Sequence, residues 1–333
     1  MKISIAALLR AVGFRRMGSK TEESDAAREF QVYRADAERG DAKAQNNLGG
    51  CYYNGEGVRR DYAEAARWMC TAAQQGLALA QKNLGVFYQS GIGVKRDDGN
   101  AVKWFRKAAN QGDATAQCHL GVCYHDGRGV KRSYPVAVKW FRKAAQQGDP
   151  KAQFNLGLCH AESHGVKKDY AEAAKWYRKA ADQGDVNAQL ALAVSYHIGY
   201  GLEKDYAEAV KWYRKAAEQG DAHAQYGLAV CCRDGQGLAK DSAQAAKWFR
   251  LAADQGYCLA QNALAHCYYN SKGVERDYVE AYAWFNLAST ADKGAMQSRE
   301  ALEGIMSPQQ VTAAQRRTQE LRAHFEQATS KSK

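Results

Sequence analysis

The stretch Gly55–Trp68, GEGVRRDYAEAARW, opens with Gly-x-Gly and runs on as an amphipathic helix pattern. A glycine loop that cradles phosphate occurs once in a domain, after a strand and against a helix N-terminus. This one occurs in seven copies. With Gly40, Gly76, Gly112, Gly148, Gly184, Gly220 and Gly256 as anchors, every interval is 36 residues without insertion. All 7 tryptophans fall in one column: Trp68, Trp104, Trp140, Trp176, Trp212, Trp248 and Trp284. Ala44, Gln45, Leu48, Gly57, Ala65 and Ala72 have the same residue in every copy. A fixed period of about 20–50 residues marks a solenoid or related array. No copy follows a strand pattern, and Ser163 and Ser271 replace the first glycine in two of them. The motif therefore reads as a helix-to-helix turn whose glycines supply positive φ.

Each unit reads as two helices. Asp41, Asp113 and Asp149 cap the first, in which Ala44, Leu48 and Tyr52 share a face. The second opens with DYAE at Asp61–Glu64, Asp169–Glu172 and Asp205–Glu208, a pattern that predicts a capping box with the Glu reaching back to the cap amide. In the third copy Ser133 takes the cap and Pro135 the first turn. Ala65, Trp68, Met69 and Ala72 form the apolar stripe, and the Gly76 column closes the helix at C′. A hairpin this small cannot bury its stripe alone, so neighbours stack. The Trp column is expected to fill the space between successive pairs.

Composition agrees with a folded chain: 46% apolar, 25% charged, with no apolar run of the roughly 18 residues that spans a bilayer. The formal charge of +11 is concentrated at the ends. Residues 1–20 hold five bases and no acid, residues 293–333 hold seven bases and four acids, and the remainder carries only +3. That distribution argues against a nucleic-acid partner. The opening MKISIAALLRAVGFRRMG has a short apolar run broken by Arg10, and a secretory signal, a transit peptide, an amphipathic basic helix and a disordered start all remain open for it. The 9 cysteines are odd in number. Cys51, Cys123, Cys159, Cys231 and Cys267 share one core-lining column, where thiols act as small hydrophobes. The expected compartment is reducing and cytoplasmic, with export the alternative if the N-terminus is a signal.

The run AKAQNNLGGCYYNGEGVRRDYAEAARW at Ala42–Trp68, followed by AAQQG at Ala72–Gly76, resembles the Sel1-like repeat, a relative of the tetratricopeptide class. The resemblance covers residues 41–292 as seven units: 41–76, 77–112, 113–148, 149–184, 185–220, 221–256 and 257–292. Residues 1–21 form a basic leader and 22–40 a capping helix, with Phe30, Tyr33 and Ala37 in the Ala66, Met69 and Ala73 columns. Residues 293–333 supply terminal helices, with Ser307 as cap and Pro308 at N1. The resemblance implies an all-α, right-handed α/α superhelix that holds other proteins in a concave groove lined by first helices. Some cysteine-rich relatives staple each hairpin with a disulfide; one recurrent Cys column fits that subgroup poorly. Relatives active on β-lactams make a hydrolase the alternative.

Partner specificity belongs where the copies differ. The Asn46 column reads Asn46, Lys82, Cys118, Phe154, Leu190, Tyr226, Asn262, and the Tyr53 column reads Tyr53, Gln89, His125, Ala161, His197, Arg233, Tyr269. Phe154, Leu190 and Tyr226 make an apolar track beside His125, His197 and Arg233, with aromatic and Arg anchors of the hot-spot kind. Packing between repeats is the competing reading of the three apolar residues, because periodicity does not separate the two. The second helices carry KWFRKAA at Lys103–Ala109 and Lys139–Ala145, whose bases suit ordinary surface pairing. Ser-x-x-Lys occurs only at Ser330–Lys333, and no other catalytic spacing stands apart from the repeat. His119, Cys123, His125, Cys159, His160 and His164 lie near one another in sequence, but a structural zinc needs four converging ligands. The reading is therefore a monomeric, non-catalytic scaffold or adaptor with a protein or peptide partner, without cofactor or metal, nucleic acid or membrane segment.

Overall fold

The computed structural model describes residues 20–331. Two units, residues 1–168 and 169–333, each make their own contacts. Among the described residues the regular structure is helical throughout. The first unit holds α1 (Lys20–Glu38), α2 (Ala42–Asn54), α3 (Tyr62–Gln74), α4 (Ala78–Ser90), α5 (Asp98–Asn110), α6 (Ala114–Asp126), α7 (Tyr134–Gln146) and α8 (Pro150–Glu162). The second holds α9 (Tyr170–Asp182), α10 (Val186–Ile198), α11 (Tyr206–Glu218), α12 (Ala222–Asp234), α13 (Ser242–Ala253), α14 (Cys258–Asn270), α15 (Tyr278–Ala288), α16 (Lys293–Glu303) and α17 (Pro308–Lys331). Within each unit the helices pack each on the next along the chain as far as α15, which is covered by both α16 and α17. Residues 1–19, where the leader expectation falls, lie outside the described residues. No described helix is long and apolar enough to cross a membrane.

The first helices start as the sequence predicts: the carboxylates of Asp41, Asp113 and Asp149 accept from the amides of Ala44, Ala116 and Ala152 at 2.6, 2.7 and 2.8 Å. The second helices differ from the predicted capping box. Asp61 accepts from the amides of Ala63 and Glu64, but its own N–H donates to Tyr52 O at 2.9 Å, as Asp97 does to Tyr88 O and Asp205 to Tyr196 O. With the Asp205 cap amide already used inside the hairpin, Glu208 instead pairs with Lys211 at 2.6 Å, and Glu172 pairs likewise with Lys175 at 3.1 Å. Ser133 occupies the cap position without a side-chain bond; its amide donates to Tyr124 O and its carbonyl accepts from the Ala137 amide. A reciprocal box does occur at α17, where Gln310 N donates to Ser307 Oγ and Ser307 N to Gln310 Oε1.

The invariant Gln column ties three helices together. Gln81 is 4% exposed; its Nε2 donates to Ala73 O at 3.1 Å and its Oε1 accepts from Gln111 Nε2 at 2.8 Å. Gln117 repeats this with Ala109 O and Gln147, and Gln189 and Gln225 do so in the second unit. Each of these amides thus satisfies the carbonyl end of one second helix and anchors the next in a buried polar network.

The turn glycines have separate jobs. Gly91 has φ 70° and Gly93 φ 65°. A Cβ on Gly91 would meet Arg96 Cβ at 3.3 Å, whereas one on Gly93 would lie 1.8 Å from Tyr62 O, because that turn rests on the first turn of the preceding second helix. Gly57, Gly129 and Gly165 make the same backbone approach. Only the first position therefore admits Ser163 (φ 62°) and Ser271 (φ 55°), at the strain of a left-handed non-glycine residue.

The aromatic core differs from expectation. Trp68, Trp104, Trp140, Trp176 and Trp248 are half-buried. Trp104 lies against Ala72, Ala73, Ala80 and Leu84 of the preceding hairpin and its partner, so it does bridge repeats. Its open face carries the Lys107 ammonium 4.2 Å from the ring centroid, an arrangement repeated by Lys143 on Trp140 and Lys179 on Trp176. The neighbouring column is buried more deeply still: Met69, Phe105, Phe141, Phe249 and Phe285 are all under 2% exposed. Gly85 and Gly121 sit beneath those rings, where a Cβ would come within 2.5 and 2.6 Å of Phe105 and Phe141. Trp284 is fully buried because α17 closes over it, with Phe325 6.3 Å away.

Candidate functional site

The structure divides the predicted site residues between the two units. In the first unit the Asn46 column faces the packing between helices. Asn46, Lys82, Cys118 and Phe154 are all buried, with Phe154 only 7% exposed. Asn46 Oδ1 accepts from Asn83 Nδ2 at 3.1 Å. Phe154 is thus withdrawn from the proposed track: at that exposure its ring has no open face to offer a partner. Leu190 and Tyr226, in the second unit, are half-buried. The Tyr226 ring lies 5.6 Å from Phe249 and 5.4 Å from Tyr257.

His125 is part of a cluster in the first unit. Its Nδ1 is 2.8 Å from Asp126 Oδ1 and its Nε2 is 3.2 Å from His164 Nδ1, while His164 stacks on Tyr134 at 4.3 Å. His119 goes elsewhere, flat against Phe105 at 4.8 Å; burial, with Lys151 and Lys82 nearby, pushes its pKa down to about 4. Cys123 and Cys159 are core thiols that burial pushes up to about 12. Of the six residues with zinc-ligand chemistry, His125 and His164 meet while His119, Cys123 and Cys159 go to the core, and no group of three or more ligating side chains converges among the described residues.

The second unit brings His197 and Arg233 into one neighbourhood. His197 Nδ1 is 3.8 Å from Cys231 Sγ, and its ring stands edge-on to Tyr206 at 5.2 Å and Tyr213 at 5.9 Å. Burial, then the Lys204 charge, lowers its pKa. Arg233 forms a bidentate pair with Asp234 at 2.7 and 2.8 Å. Beside Arg233 opens a cavity of about 340 Å³ between α12, α13 and α14. Phe249, Ala245 and Ala263 line it with Cys267, and Arg233, His266 and Lys272 stand around it. Burial lowers the pKa of His266 and raises that of Cys267, so ring and thiol are uncharged at neutral pH. The cavity is an apolar seat with Lys272 and the Asp234-paired Arg233 at its edge. Position 263 was missed in the sequence reading. Its column reads Asn47, Asn83, His119, Asn155, Ala191, Gly227, Ala263, and the loss of side-chain volume in the last three copies was the available signal.

The Sel1 repeat family model matches the chain seven times, at residues 42–77, 78–113, 114–149, 150–185, 186–221, 222–257 and 258–293. The chain belongs to the Sel1 repeat family. Its fold class is the all-α helical repeat solenoid. Among solved structures it is similar to a Sel1 repeat protein from Oxalobacter formigenes, with 33% identity over 84% of this chain and 85% of that one and a TM-score of 0.69. It is also similar to a protective antigen present in uropathogenic Escherichia coli strains that displays an SLR fold, with 29% identity over 99% and 97% and a TM-score of 0.52. Comparison with curated proteins finds no match. Across the Sel1 units the cysteines are all free, including the core column.

Proposed function

We propose that this Sel1 repeat protein is a non-catalytic scaffold that holds a peptide or partner protein against the first-helix face of its second unit. The observation that carries the reading is the cavity beside Arg233, with its apolar lining and its Arg233 and Lys272 edge. Arg233 lines that seat and the Tyr226 ring lies 5.6 Å from Phe249 of its wall, and aromatic and Arg side chains are the usual anchors of protein interfaces. Membership of a repeat family whose hairpins present long open faces favours a protein partner over a small substrate. A hydrolase would need an activated nucleophile, and the nearest thiols, Cys231 and Cys267, are held protonated by burial. Nine free cysteines favour a reducing, cytoplasmic compartment.

The test is selection of peptides from a displayed library on the full chain, followed by binding to Ala263→Phe, which fills the cavity, and Arg233→Glu, which reverses its edge. The selected peptides lose at least about tenfold in affinity with each variant, the size of one hot-spot contact. Equal binding to both variants and to the parent overturns the reading.

A further inference from the structure

The near-neutral average of the repeat body hides a local separation of charge at the Gly-x-Gly turns. In the first unit the six-residue turns 55–60, 91–96, 127–132 and 163–168 hold nine basic side chains and one acid, Glu56. Each ends in a basic doublet: Arg59–Arg60, Lys95–Arg96, Lys131–Arg132, Lys167–Lys168. The equivalent turns of the second unit, 199–204, 235–240 and 271–276, hold four bases and two acids, Glu203 and Glu275 standing where the first unit has its leading base.

Three observations make the four doublets one surface. All eight side chains are exposed. The turns abut, since Gly93, Gly129 and Gly165 each rest directly on the opening turn of the preceding second helix, immediately after the preceding cap. Some of the charges are engaged, Arg96 with Asp98 at 3.1 Å and Arg128 with Asp126 at 2.8 Å, and Lys168 also has a partner, while the leading bases Arg59, Lys95, Lys131 and Lys167 make no ion pair among the described residues. The cap carboxylates of Asp61 and Asp97 next to them are already spent on helix amides. Lysine and arginine placed before a helix N-terminus oppose its dipole, so helix stability does not explain the pattern.

We propose that this turn edge of the first unit docks an acidic polypeptide segment of a partner, its carboxylates spaced along the four doublets. The aromatic rings at the edge speak against a nucleic acid read by base stacking: Tyr134 has His164 on one face and Arg132 5.5 Å from its ring, and Tyr62, though 43% exposed, packs against Tyr53 at 5.5 Å, so no run of free platforms follows the doublets. An anionic membrane would need apolar anchors, and Val58, Ile92 and Val94 are turned inward, half-buried against the core. The site extends the scaffold reading to a second face and stands on its own observations, so the two can fail separately.

The experiment measures binding of a fluorescent oligo-glutamate peptide to the full chain by anisotropy. The edge variant is Arg59→Glu, Lys95→Glu, Lys131→Glu and Lys167→Glu, which the fold tolerates because Glu203 and Glu275 occupy the same column. A control reverses the same amount of charge on exposed second-helix residues: Lys103→Glu, Lys139→Glu, Arg142→Glu and Arg214→Glu. The edge variant loses at least about tenfold in affinity and the control under about threefold, with wild-type binding falling steeply with salt. Ala263→Phe, which tests the cavity, leaves this binding unchanged. Absence of peptide binding by the wild type, or equal losses in the two charge variants, overturns the proposal. So does a single-stranded oligonucleotide that binds more tightly than the peptide and is lost in the edge variant alone. The neutral set, Gln at the same four edge positions, gives an intermediate loss, and a Gln set that binds like wild type also overturns it.

Discussion

Gly91 and Gly93 are two residues apart in one turn, both at positive φ, yet alanine at each has a different consequence. At Gly91 the new methyl meets only Arg96 Cβ at 3.3 Å, so the cost is the left-handed backbone alone, about 1–2 kcal/mol. At Gly93 the methyl lands 1.8 Å from Tyr62 O, and the turn must retreat by roughly 1.5 Å to restore ordinary contact in a close-packed interior. That retreat pulls Ile92 and Val94 off the cluster of Ala65, Ala66, Met69 and Phe87. Losing two to three methylenes' worth of burial adds about 2 kcal/mol. The expected totals are about 1.5 kcal/mol for Gly91→Ala and about 3.5 kcal/mol for Gly93→Ala. Urea midpoints rank the two, and amide exchange locates the damage, because a repeat array opens between neighbours rather than all at once. The amide of Asp97, bonded to Tyr88 O, reports on the turn. Equal cost for the two substitutions, within about 0.5 kcal/mol, refutes the account of how hairpins seat on one another.

The converse change, Ser163→Gly, relieves a strained φ of 62° and stabilises the first unit by about 0.5 kcal/mol, read in the same denaturation assay. Phe105→Ala costs about 3–5 kcal/mol because its ring is fully buried, while Trp104→Ala, half-buried under Lys107, costs about 2 kcal/mol; comparable losses would restore the tryptophans as the main filler. Gln117→Leu leaves Ala109 O and the Gln147 amide without their partner and costs about 2–3 kcal/mol by urea denaturation. His119 has a folded pKa of about 4, below its unfolded value, so the unfolded chain takes the proton first and stability falls as pH drops from about 6.5 toward 4. His119→Asn, matching Asn83 and Asn155 in its column, flattens that part of the pH profile; an unchanged slope contradicts the assignment.

The fold was legible because stacking forces identical chemistry at identical positions. Repeating glycines, alanines and aspartate caps are local signals, each tied to one backbone conformation, and the structure places them as read. Three features were not legible. The Trp column looked like the core filler because it is uniform, but uniformity marked a ring held between the neighbouring hairpin and a lysine, while the variable Met/Phe/Tyr column took the buried place. The DYAE motif could not show that the cap amide was already spent on Tyr52 O. Phe154 could be assigned neither to groove nor to packing, since helical spacing fixes which residues share a face and leaves open which face a neighbour covers. The cavity at Ala263 was visible only as a loss of volume down a column, and the turn doublets only when the two halves of the array were compared.

The scaffold reading meets its most direct test in photo-crosslinking. A photoreactive residue at Lys272, on the edge of the second-unit cavity, is compared with one at Lys175 on a second helix, in the organism that makes the protein. The account predicts a defined protein adduct from position 272 that Ala263→Phe abolishes, and none from position 175. Adducts of equal yield from both positions, or an adduct from 272 that survives the filled cavity, would contradict it.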